Sequence, residues 1–157
     1  MIRYETDLAN VDWKAAAEVV RLAPLGTREP EKMARAFRNS YAVVVVFDDR
    51  KLIGLARAIC DGEYHAAIYD VVLLPDYQGQ HIGKEMLRRL CAQLPVANLI
   101  LFAHPGREGF YTKSGFRKML TAMAIMSPDK ADPARGYLAP SPSDEANSSV
   151  TPDNQNR

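Results

Sequence analysis

A strand pattern gives way to a helix pattern near the middle of the chain. From Ala66 to Leu74 the residues are apolar apart from Asp70, which is typical of a strand buried on both faces. Pro75 ends this run, because proline cannot donate a hydrogen bond to a neighbouring strand. After Gly83 the apolar residues recur every three or four positions, which predicts an amphipathic helix that stops before Pro95. The order strand, glycine turn and helix indicates an anion-binding site, because the first turn of a helix has unpaired N–H groups.

The remaining hydrophobic pattern predicts a mixed α/β domain. A helix separates the strand at 64–74 from the one at 98–103, so these two strands should be parallel, whereas short turns make the earlier strands antiparallel. We therefore expect a mixed, mostly antiparallel central sheet of about six or seven strands, with about four helices on both faces. The predicted strands cover residues 2–6, 41–47, 51–60, 64–74, 98–103 and 116–125, and the predicted helices cover 11–22, 30–39, 82–94 and about 107–114.

Two glycines limit what the anion site can be. Gly79 and Gly83 would let a phosphate approach the start of the helix, because neither carries a Cβ atom. The nucleoside-triphosphate loop needs four residues between its glycine and a Gly-Lys pair, and only three separate Gly79 from Gly83. The dinucleotide-binding turn needs three glycines, and only two are present. Neither of these schemes fits the spacing.

The loop sequence resembles a third scheme. Gln78-Gly79-Gln80-His81-Ile82-Gly83-Lys84 is similar to the acyl-coenzyme A loop of the GNAT superfamily of N-acetyltransferases, with His81 in place of the usual middle glycine. A second match lies downstream, where Tyr111-Thr112-Lys113-Ser114-Gly115-Phe116 resembles the Tyr-x-x-x-Gly-Phe helix end of the same superfamily. A weaker likeness, carried mostly by core and cofactor positions, is to the arylalkylamine (serotonin-type) acetyltransferases.

The resemblance implies an acetyl-coenzyme A-dependent N-acetyltransferase in which an amine attacks the thioester directly. Backbone N–H groups of the loop would hold the pyrophosphate, and the backbone of the preceding strand would pair with the pantetheine arm. His104 falls where relatives often have an asparagine near this arm, and a structural loop histidine explains it equally well. The implied cofactor-binding residues are Val71, Val72, Leu73, Gln78, Gly79, Gln80, His81, Ile82, Gly83, Lys84 and His104, and no metal is implied.

Two residues are candidates for the proton transfers. Tyr111 matches the acid position of the family, from which it would protonate the leaving thiolate; the alternative is an aromatic residue packed on its helix with a hydrogen-bonded hydroxyl. Asp70 is the only charge within the central strand, and burial disfavours the charged form of a carboxyl group, which would suit Asp70 to take a proton from the amine. Glu63 and His65 lie upstream on the same approach. A hydrogen-bonded Asp70 that holds a bulge in the strand explains the residue equally well.

The acceptor is expected to be a small-molecule amine. Acetylation of a protein N-terminus or lysine is the alternative among enzymes, and a non-catalytic acyl-coenzyme A-binding module is the alternative outside them. In the family, the connection between the first two helices borders the acceptor pocket, which makes Leu25, Thr27 and Arg28 candidate contacts. Alternatively, Arg28 is a solvated side chain in an ordinary connection between two helices.

Composition favours one domain with a flexible tail. With 157 residues and 47% hydrophobic composition, the chain can bury a core, which we place in a single acyltransferase domain at residues 1–126. Residues 127–157 contain five of the ten prolines and few large apolar residues, so this tail should not fold alone.

The charge and the cysteines of the chain limit which partners and which metal sites are expected. A formal net charge of +1 with no basic run argues against a nucleic-acid partner, and the lack of a long apolar run argues against a membrane partner. Cys60 and Cys91 have no metal-binding spacing and are expected to be reduced thiols. A cytoplasmic protein, either a monomer or a homodimer, is the default expectation.

Overall fold

A computed structural model describes residues 1–140 of the chain. It divides into two compact units, residues 1–102 and the segment from Ala103 onward. The strands of the first unit are β1 (Ile2–Glu5), β2 (Ala42–Asp48), β3 (Lys51–Cys60), β4 (His65–Leu73) and β5 (Asn98–Ile100). Its helices are α1 (Trp13–Leu22), α2 (Pro30–Arg38) and α3 (Ile82–Cys91), with a 3-10 turn at Pro75–Tyr77. The second unit has α4 (Glu108–Thr112), α5 (Pro128–Ala131) and a 3-10 turn at Pro133–Arg135.

The five strands form one mixed sheet in sequence order. The pairs β1–β2, β2–β3 and β3–β4 are antiparallel, whereas β4 and β5 are parallel because α3 connects them. This arrangement confirms the mixed, mostly antiparallel α/β fold expected from the sequence.

The centre of the sheet is covered on both sides. All residues from Ala42 to Phe47 are buried, as is every residue from Leu52 to Ala56, so consecutive side chains that point to opposite faces are both removed from water. Helix α1 packs against β3 and β4, and α3 packs against β2, β3 and β4. Large, fully buried side chains from the helices complete this core, namely Val20, Phe37, Met86 and Leu90.

The helix boundaries have local causes. α1 begins at Trp13 rather than at residue 11, because the carboxylate of Asp12 accepts a hydrogen bond from the Lys14 N–H (2.9 Å) and caps the helix. α2 begins at Pro30, where the missing N–H of proline costs nothing in the first turn.

The predicted strand at residues 116–125 is wrong. The described residues contain five strands rather than six or seven, and the segment after Phe116 pairs with none of them. Its apolar side chains have strand propensity, but propensity stabilises a strand only when the side chains are packed and the backbone has a partner. The side chains of Met119, Leu120, Met123 and Ile125 are instead between 58% and 103% exposed.

The second unit contains the predicted helix cap. Gly115 has a φ of 91°, the left-handed conformation expected for a glycine that ends a helix, and the ring of Phe116 lies 6.1 Å from the ring of Tyr111. Helix α4 ends at Thr112, two residues before the predicted end. Of the predicted tail, residues 127–140 contain α5 and a 3-10 turn, and residues 141–157 lie outside the described part of the chain. The flexibility of the tail at residues 127–157 stays a prediction.

At Gly54, β3 and β4 lie so close together that only glycine fits. An added Cβ would lie 2.9 Å from the Val72 carbonyl oxygen and 2.9 Å from Leu73 Cδ1. We expect Gly54→Ala to lower the free energy of unfolding by about 1–3 kcal/mol, measured by chemical denaturation, because β4 must move to admit the methyl group.

Gly109→Ala is the matched control for this substitution. Gly109 lies in α4, and its added Cβ would meet nothing within 4 Å, so stability should be unchanged or slightly higher. Equal stability of the two variants would show that the contact between β3 and β4 is looser than described.

Candidate active site

A gap opens between β4 and β5. These strands pair only where His65, Ala66 and Ala67 face Asn98, Leu99 and Ile100. β5 then ends, while β4 continues to Leu73. Residues 68–73 therefore have a partner strand on the β3 side alone, and their other edge can pair with an extended ligand.

A bulge interrupts β4 beside this gap. Leu55 pairs with Val72 and Arg57 pairs with Tyr69, so the two residues Asp70 and Val71 oppose the single residue Ala56. Asp70 has a φ of 50°, which a non-glycine residue adopts at a cost of roughly 1–2 kcal/mol. Some other interaction must hold this conformation.

Arg57 supplies that interaction from the neighbouring strand. Its Nε donates to Asp70 Oδ2 at 2.5 Å, and both side chains are largely buried, at 15% and 18% exposure. The Arg57 guanidinium carbon lies 5.1 Å from the ring centre of Tyr69 and 5.9 Å from that of Phe37. These aromatic contacts keep the guanidinium beside Asp70.

A second arginine approaches the same carboxylate from the α1–α2 connection. Arg28 Nη2 lies 3.6 Å from Asp70 Oδ1, and the Arg28 side chain is 41% exposed. Of the other acceptor candidates in this connection, Leu25 is half-buried and Thr27 is exposed. Glu63 and His65 are exposed as well.

The loop after β4 forms an anion-binding helix start. Gly79 and His81 have φ values of 77° and 62°, so both take the left-handed conformation that glycine adopts most easily. His81 stands at the N-cap of α3, and its side chain makes no capping hydrogen bond. The first N–H groups of α3, on Ile82, Gly83 and Lys84, have no partner within the helix and remain available to an anion.

Two glutamine side chains brace the turn between β4 and α3. Gln78 Nε2 donates to the Leu73 carbonyl oxygen (3.0 Å), and Gln80 Nε2 donates to the Asp76 carbonyl oxygen (2.8 Å). The first contact connects the loop directly to the end of the unpaired edge of β4. The gap and the helix start are therefore held together as one continuous surface.

Charges on α3 leave the helix start favourable to anions. Glu85 is the one acidic residue of the first turn, and hydrogen bonds from Arg88 and Arg89 lower its pKa to about 2. Its negative charge is thereby balanced by two guanidiniums on the same helix. Lys84 is exposed beside it.

The remaining candidates, Tyr111 and His104, belong to the second unit. Tyr111 lies in α4, its ring contacts Phe110 (5.0 Å between centres) and Phe116, and burial raises its pKa above the usual value of 10. Among residues 1–140 its hydroxyl has no side-chain or backbone hydrogen-bond partner. His104 is exposed, with its ring 5.8 Å from that of Tyr137 and its Nδ1 3.1 Å from the Pro105 carbonyl oxygen.

Sequence reasoning missed Arg57 and Phe37 as parts of the site. The available signal was that Arg57 is the only charge inside β3, since Lys51 stands at its first position. A lone charge in a buried strand needs a partner, and the lone charge of the paired strand is Asp70. Phe37 carried no signal beyond its place on the apolar face of α2.

Within residues 1–140, no three His, Cys, Asp or Glu side chains are grouped closely enough to hold a metal ion. No helix in the same range is long and apolar enough to cross a bilayer. Cys60 and Cys91 are both free, and burial raises the pKa of the Cys91 thiol.

The sequence of this chain is similar to those of known N-acetyltransferases. The family model of the acetyltransferase (GNAT) domain matches residues 39–118. An uncharacterized N-acetyltransferase of Pyropia yezoensis is 37% identical over 98 residues, which are 58% of this chain and 56% of that protein. A histone acetyltransferase of Glycine max is 37% identical over 103 residues, and serotonin N-acetyltransferase 2 (chloroplastic) of Oryza sativa subsp. japonica is 34% identical over 115 residues. These cover 57% and 68% of this chain and 45% and 56% of those proteins. The chain thus spans about half the length of these relatives.

Solved structures share the fold. A probable acetyltransferase from Staphylococcus aureus has a TM-score of 0.70 at 23% identity, covering 81% of this chain and 100% of that one. The ribosomal-protein-S18-alanine N-acetyltransferase of Escherichia coli has a TM-score of 0.66 at 21% identity, covering 76% and 79%.

His81→Gly tests the left-handed helix start. Because glycine adopts a positive φ without a steric cost, we expect the variant to gain up to about 1 kcal/mol in the free energy of unfolding and to keep its affinity for coenzyme A. His81→Ala retains a Cβ and should show no gain. A glycine variant less stable than the alanine variant would contradict this conformation.

Asp70→Gly and Asp70→Ala separate the backbone conformation from the carboxylate. Both remove the carboxylate, but only glycine adopts the positive φ freely, so we expect the glycine variant to bind coenzyme A more tightly than the alanine variant in calorimetric titrations. Equal affinities would mean that the conformation of residue 70 does not shape the site.

Proposed function

We propose that this chain, which belongs to the GNAT family of acetyltransferases, moves the acetyl group of acetyl-coenzyme A to a small-molecule amine. One observation carries the proposal. The unpaired edge of β4 leads, through a loop with two left-handed residues, to a helix start with free N–H groups. This surface offers both an edge for an extended amide chain and a site for a phosphate group.

The loop residues fit the phosphate end of the donor. An added Cβ at Gly79 would meet nothing within 4 Å, so the loop is open to an approaching group. The backbone from Gly79 to Lys84 would bind the pyrophosphate, with Lys84 adding a positive charge, because a helix start favours anions. Acetyl-coenzyme A supplies an acetyl group activated as a thioester.

The edge of β4 fits the amide-bearing arm. Backbone groups of Val71, Val72 and Leu73 would pair with it as a neighbouring strand does. The Leu73 carbonyl also accepts from Gln78, which joins the end of this edge to the loop. His104 stays a weaker candidate for the same arm, since its assignment rests on the resemblance alone.

Tyr111 is the proposed acid. Its phenol carries a proton at neutral pH, because burial holds its pKa above the usual value for tyrosine, so a proton is present for the departing thiolate. The assignment is carried by the match to the family's helix-end motif.

Asp70 is the proposed base, with a positioning role as the alternative. The carboxylate is largely buried next to the edge that would receive the donor, which supports a role close to the reaction. Its tie to Arg57 and its left-handed backbone support positioning. Asp70→Gly distinguishes them, because loss of turnover with coenzyme affinity retained favours the base and retained turnover favours positioning.

A protein acceptor is the second candidate function. The histone acetyltransferase of Glycine max supports it, because that relative is as similar in sequence as any of the relatives named above. A non-catalytic acyl-coenzyme A-binding module has less support, since Tyr111 is present.

The experiment is an assay of free thiol release from acetyl-coenzyme A with a panel of amines, and with a lysine-containing peptide in parallel. We expect thiol release that depends on a small amine. Release with the peptide alone would favour the protein acceptor, and tight coenzyme binding without any acceptor-dependent release would favour the binding module.

Tyr111→Phe tests the acid. The substitution removes only the hydroxyl, so we expect kcat to fall by about 10²- to 10⁴-fold while the affinity for coenzyme A and the melting temperature change little. Because the pKa of Tyr111 is raised, wild-type kcat should show no loss from deprotonation of this residue below about pH 10. Full activity of the variant would exclude the acid role.

A further inference from the structure

Arg28 has more hydrogen-bonding capacity than its surroundings use. Its guanidinium presents five N–H donors, yet its one ion pair within 4 Å among residues 1–140 is the 3.6 Å approach to Asp70 Oδ1. That separation exceeds the length of a good hydrogen bond. The side chain is 41% exposed, so a ligand can reach it.

The two arginines at Asp70 differ in how closely they pair with its carboxylate. Arg57 makes the short contact, is 15% exposed and is packed against Phe37 and Tyr69, which makes it a fixed partner. One carboxylate balances one guanidinium, so the positive charge of Arg28 is left over. The carboxylate of Glu29, next to it in the chain, caps α2 by accepting from the Glu31 N–H (3.1 Å), and among residues 1–140 it forms no ion pair with Arg28 within 4 Å.

This surplus charge lies where the acceptor must arrive. Asp70 directly precedes Val71, the first of the residues proposed to pair with the arm of the donor. An amine that attacks a thioester held along this edge approaches within reach of the Asp70 side chain, and so of Arg28. A positively charged amine without a compensating group would be repelled there, because like charges close together in a partly buried site raise the free energy of binding.

We propose, on the premise of the acetyltransferase function, that Arg28 binds an anionic group of the acceptor, which makes the acceptor an amine that also carries a carboxylate or a phosphate. Guanidinium is suited to both anions because its N–H groups bind two oxygens at once. The anionic group balances the surplus charge and places the amine toward the thioester. Arg28 is thus a specificity-determining residue that touches the acceptor, and Arg57 is a positioning residue.

The test compares matched amines that differ in one anionic group. Phenylalanine and 2-phenylethylamine form the carboxylate pair, and phosphoethanolamine and ethanolamine form the phosphate pair. For wild-type protein we expect kcat/KM to be about 10- to 100-fold higher for the anionic member of at least one pair, the usual effect of a charge-assisted hydrogen bond. The pair that shows the difference identifies the anion.

Variants assign the difference to Arg28. In Arg28→Gln the ratio within the pair should fall close to one, because the KM of the amine with the anionic group rises and the KM of its partner stays equal or falls once the repulsion is removed. The KM for acetyl-coenzyme A should be unaffected. Arg28→Lys should keep part of the ratio, because lysine retains the charge without the paired N–H groups. Arg38→Gln is the matched control, since Arg38 is exposed at the last position of α2, and it should leave the ratio unchanged.

Three results would overturn the proposal. Equal or better use by wild-type protein of the amines that lack the anionic group would exclude an anion subsite while leaving acetyl transfer in place. An equal loss for both members of a pair in Arg28→Gln, accompanied by a higher KM for acetyl-coenzyme A, would mean that Arg28 acts by supporting Asp70. No release of thiol with any amine would contradict both this inference and the proposed small-molecule function.

Discussion

The site depends on the contact between Arg57 and Asp70. A left-handed residue inside a strand is unfavourable by roughly 1–2 kcal/mol, and the buried ion pair from β3 offsets this cost. Held in that conformation, Asp70 is part of a bulge in β4 that lies beyond Ala67, the last residue that pairs with β5. The free edge of β4 and the loop that follows it both take their positions from this bulge, because a bulge bends and twists the strand that contains it.

The sequence could predict the parts of the fold that are encoded locally. The strand that ends at Pro75, the glycine turn and the amphipathic helix were all evident from spacing, and His81 takes the glycine-like conformation that its place in the motif requires. Residues 116–125 could not be predicted in this way. Their apolar side chains suit a strand, but whether a strand forms depends on a partner and on burial, which are properties of the whole fold.

The arrangement around Asp70 lay beyond sequence reasoning for a different reason. Which residue of β3 faces Asp70 depends on the register of the hairpin, and the bulge shifts that register by one position. The sequence showed a lone charge in each strand but not that the two meet. Arg28 is farther still in the chain, so its approach to Asp70 follows only from the packing of α1 and α2 on the sheet.

We propose that the start of α3 and the free edge of β4 together bind coenzyme A. The most direct measurement is the change in backbone amide chemical shifts when coenzyme A is added to isotope-labelled protein. We expect the largest changes at Ile82, Gly83 and Lys84 and along Val71 to Leu73, with the outer strand β1 unaffected. Changes confined to other residues, with these six amides unmoved, would contradict it.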